Sequence, residues 1–361
     1  MPLIIEGGRV PTRWAETKKA TGSVGSRVGR GQGISLALIN NMPDTALEAT
    51  ERQFVDLLRA SSSRVIVRLE LFSIPEVPRG ETMRQEMSER YRDISRLWDS
   101  HIDGLIVTGA EPKAKNLKDE PFWGPLSQIV DWAADHTTSA IWSCLAAHAA
   151  VLHADGIERQ PASEKIAGVF GCETVSLHPM TIDTAKGLRV PHSRHNGLPE
   201  QALNTSGYRV LTRAGGVGVD MFARQDKSFH LFLQGHPEYE AGTLLREYRR
   251  DVSRYLKGER EDYPVLPQNY FDNVSTEIAL GFRERALDNR TPDLVPSFPV
   301  GHLNEGLECP WRPCAVGIYE KWFEYLSGRK SDRRPLAGPL RRAWRDWPTD
   351  GIVAAVARTI R

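Results

Sequence analysis

From Ser35 onward, short apolar runs alternate with helix-length amphipathic stretches. Ser35–Ile39 reads as a buried strand, and Asp44 is placed to cap a helix reaching about Ala60, with Leu47, Phe54, Leu57 and Leu58 on one face. Val65–Leu71 alternates apolar residues with Arg and Glu, as a half-buried strand does. Residues 81–99 form a charged helical stretch. A strand at Gly104–Val107, a helix at Trp123–Ala134, a strand at Ser139–Trp142 and an Ala-rich helix at Leu145–Leu152 follow. Strands spaced by helix-length segments predict parallel β-α-β units, with helices on both faces of one sheet.

A second group of strands is expected at Tyr208–Thr212, Val219–Ala223 and Phe229–Leu233, followed by a helix at about Ala241–Tyr255. After Pro264 the chain becomes rich in Pro and Asn, with amphipathic helices predicted at 273–288 and 315–326. Residues 1–33 carry six Lys or Arg, two Glu and a Gly-Ser cluster without apolar periodicity, the character of a flexible arm. The expected organisation is an N-terminal arm over 1–33, an α/β catalytic domain over 34–262 and a partly helical C-terminal extension over 263–361.

The composition is that of a globular protein: 361 residues, 40% hydrophobic and 26% charged. Forty-seven basic against 46 acidic side chains leave a formal charge of +1, so no global field points to nucleic acid or to a membrane surface. The longest apolar stretch, Ala140–Leu152, is interrupted by Ser143, Cys144 and His148, so no membrane span is expected. Residues 1–13 hold Glu6 and Arg9 where a signal peptide needs an apolar run. Four scattered cysteines do not make a disulfide framework, and a cytoplasmic location is expected.

Two positions carry candidate chemistry. Cys144 falls between a predicted strand and a predicted helix, where first-turn N–H groups and the helix dipole favour a thiolate and can hold an oxyanion. In Gln234-Gly-His-Pro-Glu-Tyr239, at the end of another strand, His236 can serve as a base and Glu238 can orient it.

Asn41-Met-Pro43, Gly104-Leu-Ile-Val-Thr-Gly-Ala110, Trp142-Ser-Cys-Leu-Ala-Ala147, Glu164-Lys165, Pro191-His-Ser-Arg194, Gly235-His-Pro-Glu-Tyr239 and Arg250-Asp251 together resemble the homoserine O-succinyltransferase family, over about residues 35–271. These enzymes are similar in fold to class I glutamine amidotransferases. The resemblance implies an α/β, flavodoxin-like parallel sheet with a C-terminal helical extension. It also implies that an acyl group moves from acyl-coenzyme A to homoserine through an acyl-cysteine, in methionine biosynthesis. Cys144 matches the nucleophile, His236 the base and Glu238 its partner. Lys165, Ser193 and Arg250 match substrate contacts, with Arg250 suited to a bidentate grip on a carboxylate. The N–H groups of Leu145 and of Gly109 or Ala110 are the candidate oxyanion hole. Acyl-coenzyme A is a co-substrate, and neither a resident cofactor nor a metal is expected. Small molecules are the partners, a homodimer being left open.

Two departures bear on the substrate. Asp44-Thr45 stands where the family carries a lysine pair, so a positive group near the site is expected to be missing. Lys113 occupies the acyl-specificity position, where the family associates Gly with succinyl and Glu with acetyl. A lysine ammonium favours the succinyl carboxylate by about 1.5 to 3 kcal/mol, although its bulk fills space that glycine leaves open. Three other readings stay open: an acetyl donor or serine acceptor, since one methylene discriminates by only about 1 to 3 kcal/mol; a glutaminase, although the elbow lacks that class's two glycines; and a nucleic-acid binder using basic residues 329–345 beside Trp344 and Trp347. Cys309, Cys314 and His302 suggest zinc, but no second ligand pair has finger spacing.

Overall fold

In the computed structural model, which describes residues 3–6, 33–181 and 187–330, the apolar runs become one mixed sheet. Its strands are β1 (Leu3–Glu6), β2 (Ile34–Ile39), β3 (Val67–Phe72), β4 (Ile102–Val107), β5 (Thr137–Ser143), β6 (Gln160–Thr174), β7 (Leu188–Gly197), β8 (Arg209–Ala214), β9 (Gly218–Gln225) and β10 (Phe229–Leu233). They lie in the order β1-β3-β2-β4-β5-β10-β9-β8-β6-β7. Pairing is parallel from β1 to β10 and antiparallel from β10 to β7. Counted from β2, the parallel strands follow the 2-1-3-4-5 order of a flavodoxin-like sheet. The second strand group extends this sheet as an antiparallel wing.

Strand alternation sends neighbouring residues to opposite faces. On one face Ala37, Ile39, Leu105, Val107, Ala140 and Trp142 pack under helices α2 (Trp123–His136) and α3 (Leu145–Asp155). On the other, Leu36, Leu38, Ile106 and Ile141 pack under helices α1 (Asp44–Ser61) and α6 (Arg312–Lys330). A third cluster joins α4 (Thr243–Leu256) to α5 (Asn273–Asp288) through Tyr248, Val252, Phe282 and Phe298. No helix among the described residues is long and apolar enough to cross a membrane.

Four expectations change. Leu3–Glu6, placed in the flexible arm, pairs with β3 as a sheet strand, and Glu6 bonds Arg68 at 2.8 Å; residues 7–32 lie outside the described residues. Asp44 is the first residue of α1 rather than its cap, because its carboxylate instead accepts Gly80 N–H (2.7 Å) and Arg79 (3.2 Å). The stretch 81–99 is two short helices, Glu81–Ser88 and Ser95–Trp98. They are separated where Arg90 and Tyr91 turn in to bond the buried Glu51 at 3.0 Å each. Finally, the boundary at 262 cuts a continuous core. Tyr319, Trp322, Phe323 and Leu326 of α6 are buried in the sheet's second face, and Trp322 Nε1 donates to Ser139 Oγ of β5 at 2.8 Å. The basic stretch beyond residue 330, with Trp344 and Trp347, lies outside the described residues.

A Trp322→Ala protein should therefore lose about 3 to 5 kcal/mol of stability in urea unfolding. A loss below about 1 kcal/mol would mean that α6 is not part of the core.

Candidate active site

The parallel register of β5 and β10 sets Ser143 beside Leu233, so the residues that leave both strands emerge at one edge of the sheet. Cys144 follows β5 and donates its N–H to Leu233 O at 2.7 Å. It is half-buried, and its φ of 50° and ψ of −109° lie outside the regions comfortable for a β-carbon, at a cost on the order of 1–3 kcal/mol. The Cys144 carbonyl already accepts from Ala147 and His148, so the helix starts at once. Leu145 N–H belongs to its unpaired first turn. Gly109, just past β4, approaches so closely that a β-carbon there would stand 3.2 Å from Leu145 N and 2.8 Å from its Cβ. The candidate oxyanion groups of Leu145, Gly109 and the half-buried Ala110 are thereby brought together.

His236 follows β10, and its N–H donates to Pro191 O at 2.8 Å. Its Nδ1 lies 2.8 Å from Glu238 Oε1, which leaves Nε2 for the Cys144 sulfur, its other side-chain hydrogen-bond partner. Burial works against a charged imidazole, but negative charge at Cys144 and Glu238, with the hydrogen bonds to both, holds His236 well above its ordinary value. The Tyr239 ring stacks on the imidazole at 4.3 Å. Nucleophile, base and orienting carboxylate thus occupy one site.

The three expected substrate contacts meet on α4. Ser193 donates to Glu247 Oε2, whose Oε1 accepts from Tyr239 at 2.6 Å. One turn further on, Asp251 takes Lys165 Nζ at 2.7 Å and Arg250 Nε at 2.9 Å. Lys165 is spent in this buried pair, whereas Arg250, which holds Asp251 Oδ1 through Nε and one terminal nitrogen at 2.9 Å each, keeps a side chain 45% exposed with its other terminal nitrogen unused by Asp251. Lys113 has an exposed side chain, and its N–H and that of Ala114 both reach the buried Glu120 carboxylate at 2.5 Å.

Sequence reasoning missed four groups. Arg79, buried, donates to Met42 O at 2.9 Å and Asn40 O at 3.3 Å, so the segment expected to lack a positive group is gripped by one. Only its distance in sequence hid it. Glu247 lies within the expected helix without a motif of its own, and Asp251 enters the motif set only as part of Arg250-Asp251, without a role. The half-buried Arg159 has Cys144 and Glu120 as its charged neighbours.

Among the described residues, the cluster nearest to metal-ligand spacing is the buried Cys172, His192 and Asp220, with ligand atoms within 4.8 Å of one another. Arg194 Nε donates to His192 Nδ1 (3.3 Å) and Thr212 Oγ1 to Asp220 Oδ2 (2.7 Å), so a guanidinium already supplies positive charge beside this cluster. Cys309, Cys314 and His302 are not in that cluster; Cys309 Sγ instead faces Tyr239 O at 3.7 Å.

Behind the nucleophile, His148 Nε2 lies 2.9 Å from Gln234 Oε1, and burial pushes its pKa down to about 4. The unfolded chain therefore binds the extra proton first, and stability falls as pH drops from about 6.5 towards 4, by up to about 3 kcal/mol from this group. Urea midpoints taken at pH 7 and pH 4.5 should separate less for His148→Asn than for the parent protein. Equal separation would contradict this assignment.

The homoserine O-succinyltransferase family model matches residues 26–332. A homoserine O-succinyltransferase of Rhodopseudomonas palustris is 47% identical over 294 residues, covering 81% of this chain and 88% of the relative. One from Methylorubrum extorquens is 45% identical over 298 residues, covering 82% and 88%. Among solved structures, a glutamine amidotransferase of Methylobacillus flagellatus overlaps 81% of this chain and 95% of its own, at 13% identity and a TM-score of 0.47. The chain belongs to the homoserine O-succinyltransferase family.

Proposed function

We propose that this protein transfers a succinyl group from succinyl-coenzyme A to the hydroxyl of L-homoserine, in methionine biosynthesis, with Cys144 as the covalent carrier. The observation that supports the reading best is a cysteine on a strained strand-to-helix elbow, facing an imidazole that a carboxylate holds by its far nitrogen.

In the first half-reaction the Cys144 thiolate attacks the thioester carbonyl, and the oxyanion is met by Leu145 N–H with Gly109 or Ala110 N–H. Collapse expels the coenzyme A thiolate, which takes the proton of the His236 imidazolium. In the second, His236 removes the homoserine hydroxyl proton as that oxygen attacks the acyl-cysteine. Collapse of this intermediate breaks the carbon–sulfur bond, releases O-succinylhomoserine and returns the thiolate beside the imidazolium. Glu238 keeps Nδ1 protonated throughout, so that Nε2 is the working nitrogen.

Charge placement suits an amino acid with a succinyl donor. Arg250 offers the exposed side of its guanidinium, away from Asp251, to the α-carboxylate, and Glu247, one turn earlier and held by Ser193 and Tyr239, offers an acceptor for the α-ammonium. Arg159, in the field of Cys144, is the cation available to the far carboxylate of a succinyl group. Lys113, exposed, is a second cation for this carboxylate.

Rapid-mixing measurement with succinyl-coenzyme A alone should give a burst of free coenzyme A equal to the enzyme concentration, absent from Cys144→Ala. Steady turnover should then need homoserine and run faster with succinyl- than with acetyl-coenzyme A. Turnover with acetyl-coenzyme A only, or an undiminished burst from Cys144→Ala, would refute the proposal.

A further inference from the structure

Behind the catalytic loop, three buried side chains stand in a row, a cation and an anion with a neutral imidazole between them. Arg194 Nε lies 3.3 Å from His192 Nδ1, and His192 Nε2 lies 3.2 Å from Asp220 Oδ1. All are more than nine-tenths buried. Because the guanidinium can only donate, His192 Nδ1 is the accepting nitrogen and its proton sits on Nε2, which meets Asp220 as a charge contact rather than a well-aligned hydrogen bond. The other Asp220 oxygen accepts from Thr212 Oγ1 at 2.7 Å, and Arg194 is anchored by Asn196 O (2.6 Å) and Val217 O (3.0 Å).

Both ends of this string bear on the reactive pair. Gln234 N–H donates to Asp220 O at 2.8 Å, and a β-carbon on Gly235 would lie 2.8 Å from Asp220 Oδ1 and 3.0 Å from His192 Cε1. The residue before His236 therefore rests directly on the anionic end. At the other end, Arg194 has Cys144 as one of its charged neighbours. An anion against the imidazole loop, with a guanidinium further along the string whose charge acts at Cys144, has the polarity that favours imidazolium and thiolate together. A buried ion set costs desolvation and is weak evidence for stability, which makes a role in the site the better account of its presence.

We infer that the Arg194–His192–Asp220 string is a positioning device that holds the His236 loop in place and polarises Cys144 and His236 towards their ion pair. These residues act through the pair and do not touch substrate. The other charged and titratable groups facing the pair are Glu238 and Tyr239 from its own loop and Arg159 from the lead into β6.

The rate of iodoacetamide alkylation of Cys144, followed by mass spectrometry of its peptide across pH, reads this polarisation without substrate. It rests on Cys144 and His236 being the reactive pair, and is independent of the acyl donor. In Asp220→Asn, which keeps the shape and the Thr212 bond, the acid limb should move to lower pH by about half a unit, because removing an anion makes the first proton of the pair easier to lose, and the plateau rate should fall as the ion pair gives way to the neutral pair. Arg194→Lys should move it less. His192→Gln, which interrupts the string without changing its charge, should give an intermediate shift and serves if Asp220→Asn fails to fold. Profiles of the folded variants that superimpose on the parent's would overturn the string alone. A parent Cys144 no more reactive than Cys309 would remove the pair and the proposal with it.

Discussion

One hydrogen bond and one backbone angle organise this molecule's chemistry. The Cys144 N–H reaches Leu233 O at 2.7 Å and stitches the end of β5 to the end of β10 just where both chains leave the sheet. The same residue turns through a positive φ so that α3 can begin immediately behind it. The turn costs on the order of 1–3 kcal/mol, and a sheet covered on both faces by helices is the scaffold that can hold it. With that corner fixed, His236 comes from β10, the Gly109 loop from β4 and the α4 carboxylates from beyond. His236 and Gly109 each lie two or three residues past a strand end, as expected where ligands gather at the carboxyl edge of parallel strands.

Electrostatics within the site follows a similar economy. The chain as a whole is nearly neutral, yet the charges around Cys144 are sorted by sign. Glu238 and Asp220 flank the imidazole loop, Arg194 and Arg159 act on the sulfur through their charge, and α4 presents Glu247, Arg250 and Asp251 within two turns. Such sorting cannot be read from a net charge. It arises because β7, β9 and α4, far apart in sequence, converge behind one loop.

The parts of this arrangement legible in the sequence were those with local signatures. Apolar runs located β2, β4, β5 and β10 to within two residues, and the elbow at Cys144 followed from strand-then-helix patterning. Strands β6 and β7 were missed because Pro161, Gly168, Gly171 and Pro191 interrupt them and their ends are polar, which reads as loop. The role of α6 was understated because its pattern locates a helix but not what lies beneath it; Trp322 finds its partner, Ser139, 183 residues away. The same non-locality hid Arg79 and the buried string, whose members come from β7 and β9. Family resemblance supplied Lys165, Ser193 and Arg250, while the structure adds the carboxylates that hold them.

The central claim is that Cys144 carries the acyl group. It is tested most directly by incubating the protein with succinyl-coenzyme A in the absence of homoserine, quenching in acid and mapping the adduct by peptide mass spectrometry. A succinyl group on Cys144, discharged when homoserine is added before the quench, is the predicted result. An unmodified Cys144 in an enzyme that still makes O-succinylhomoserine, or an adduct on Cys309 or Cys314 instead, would contradict it.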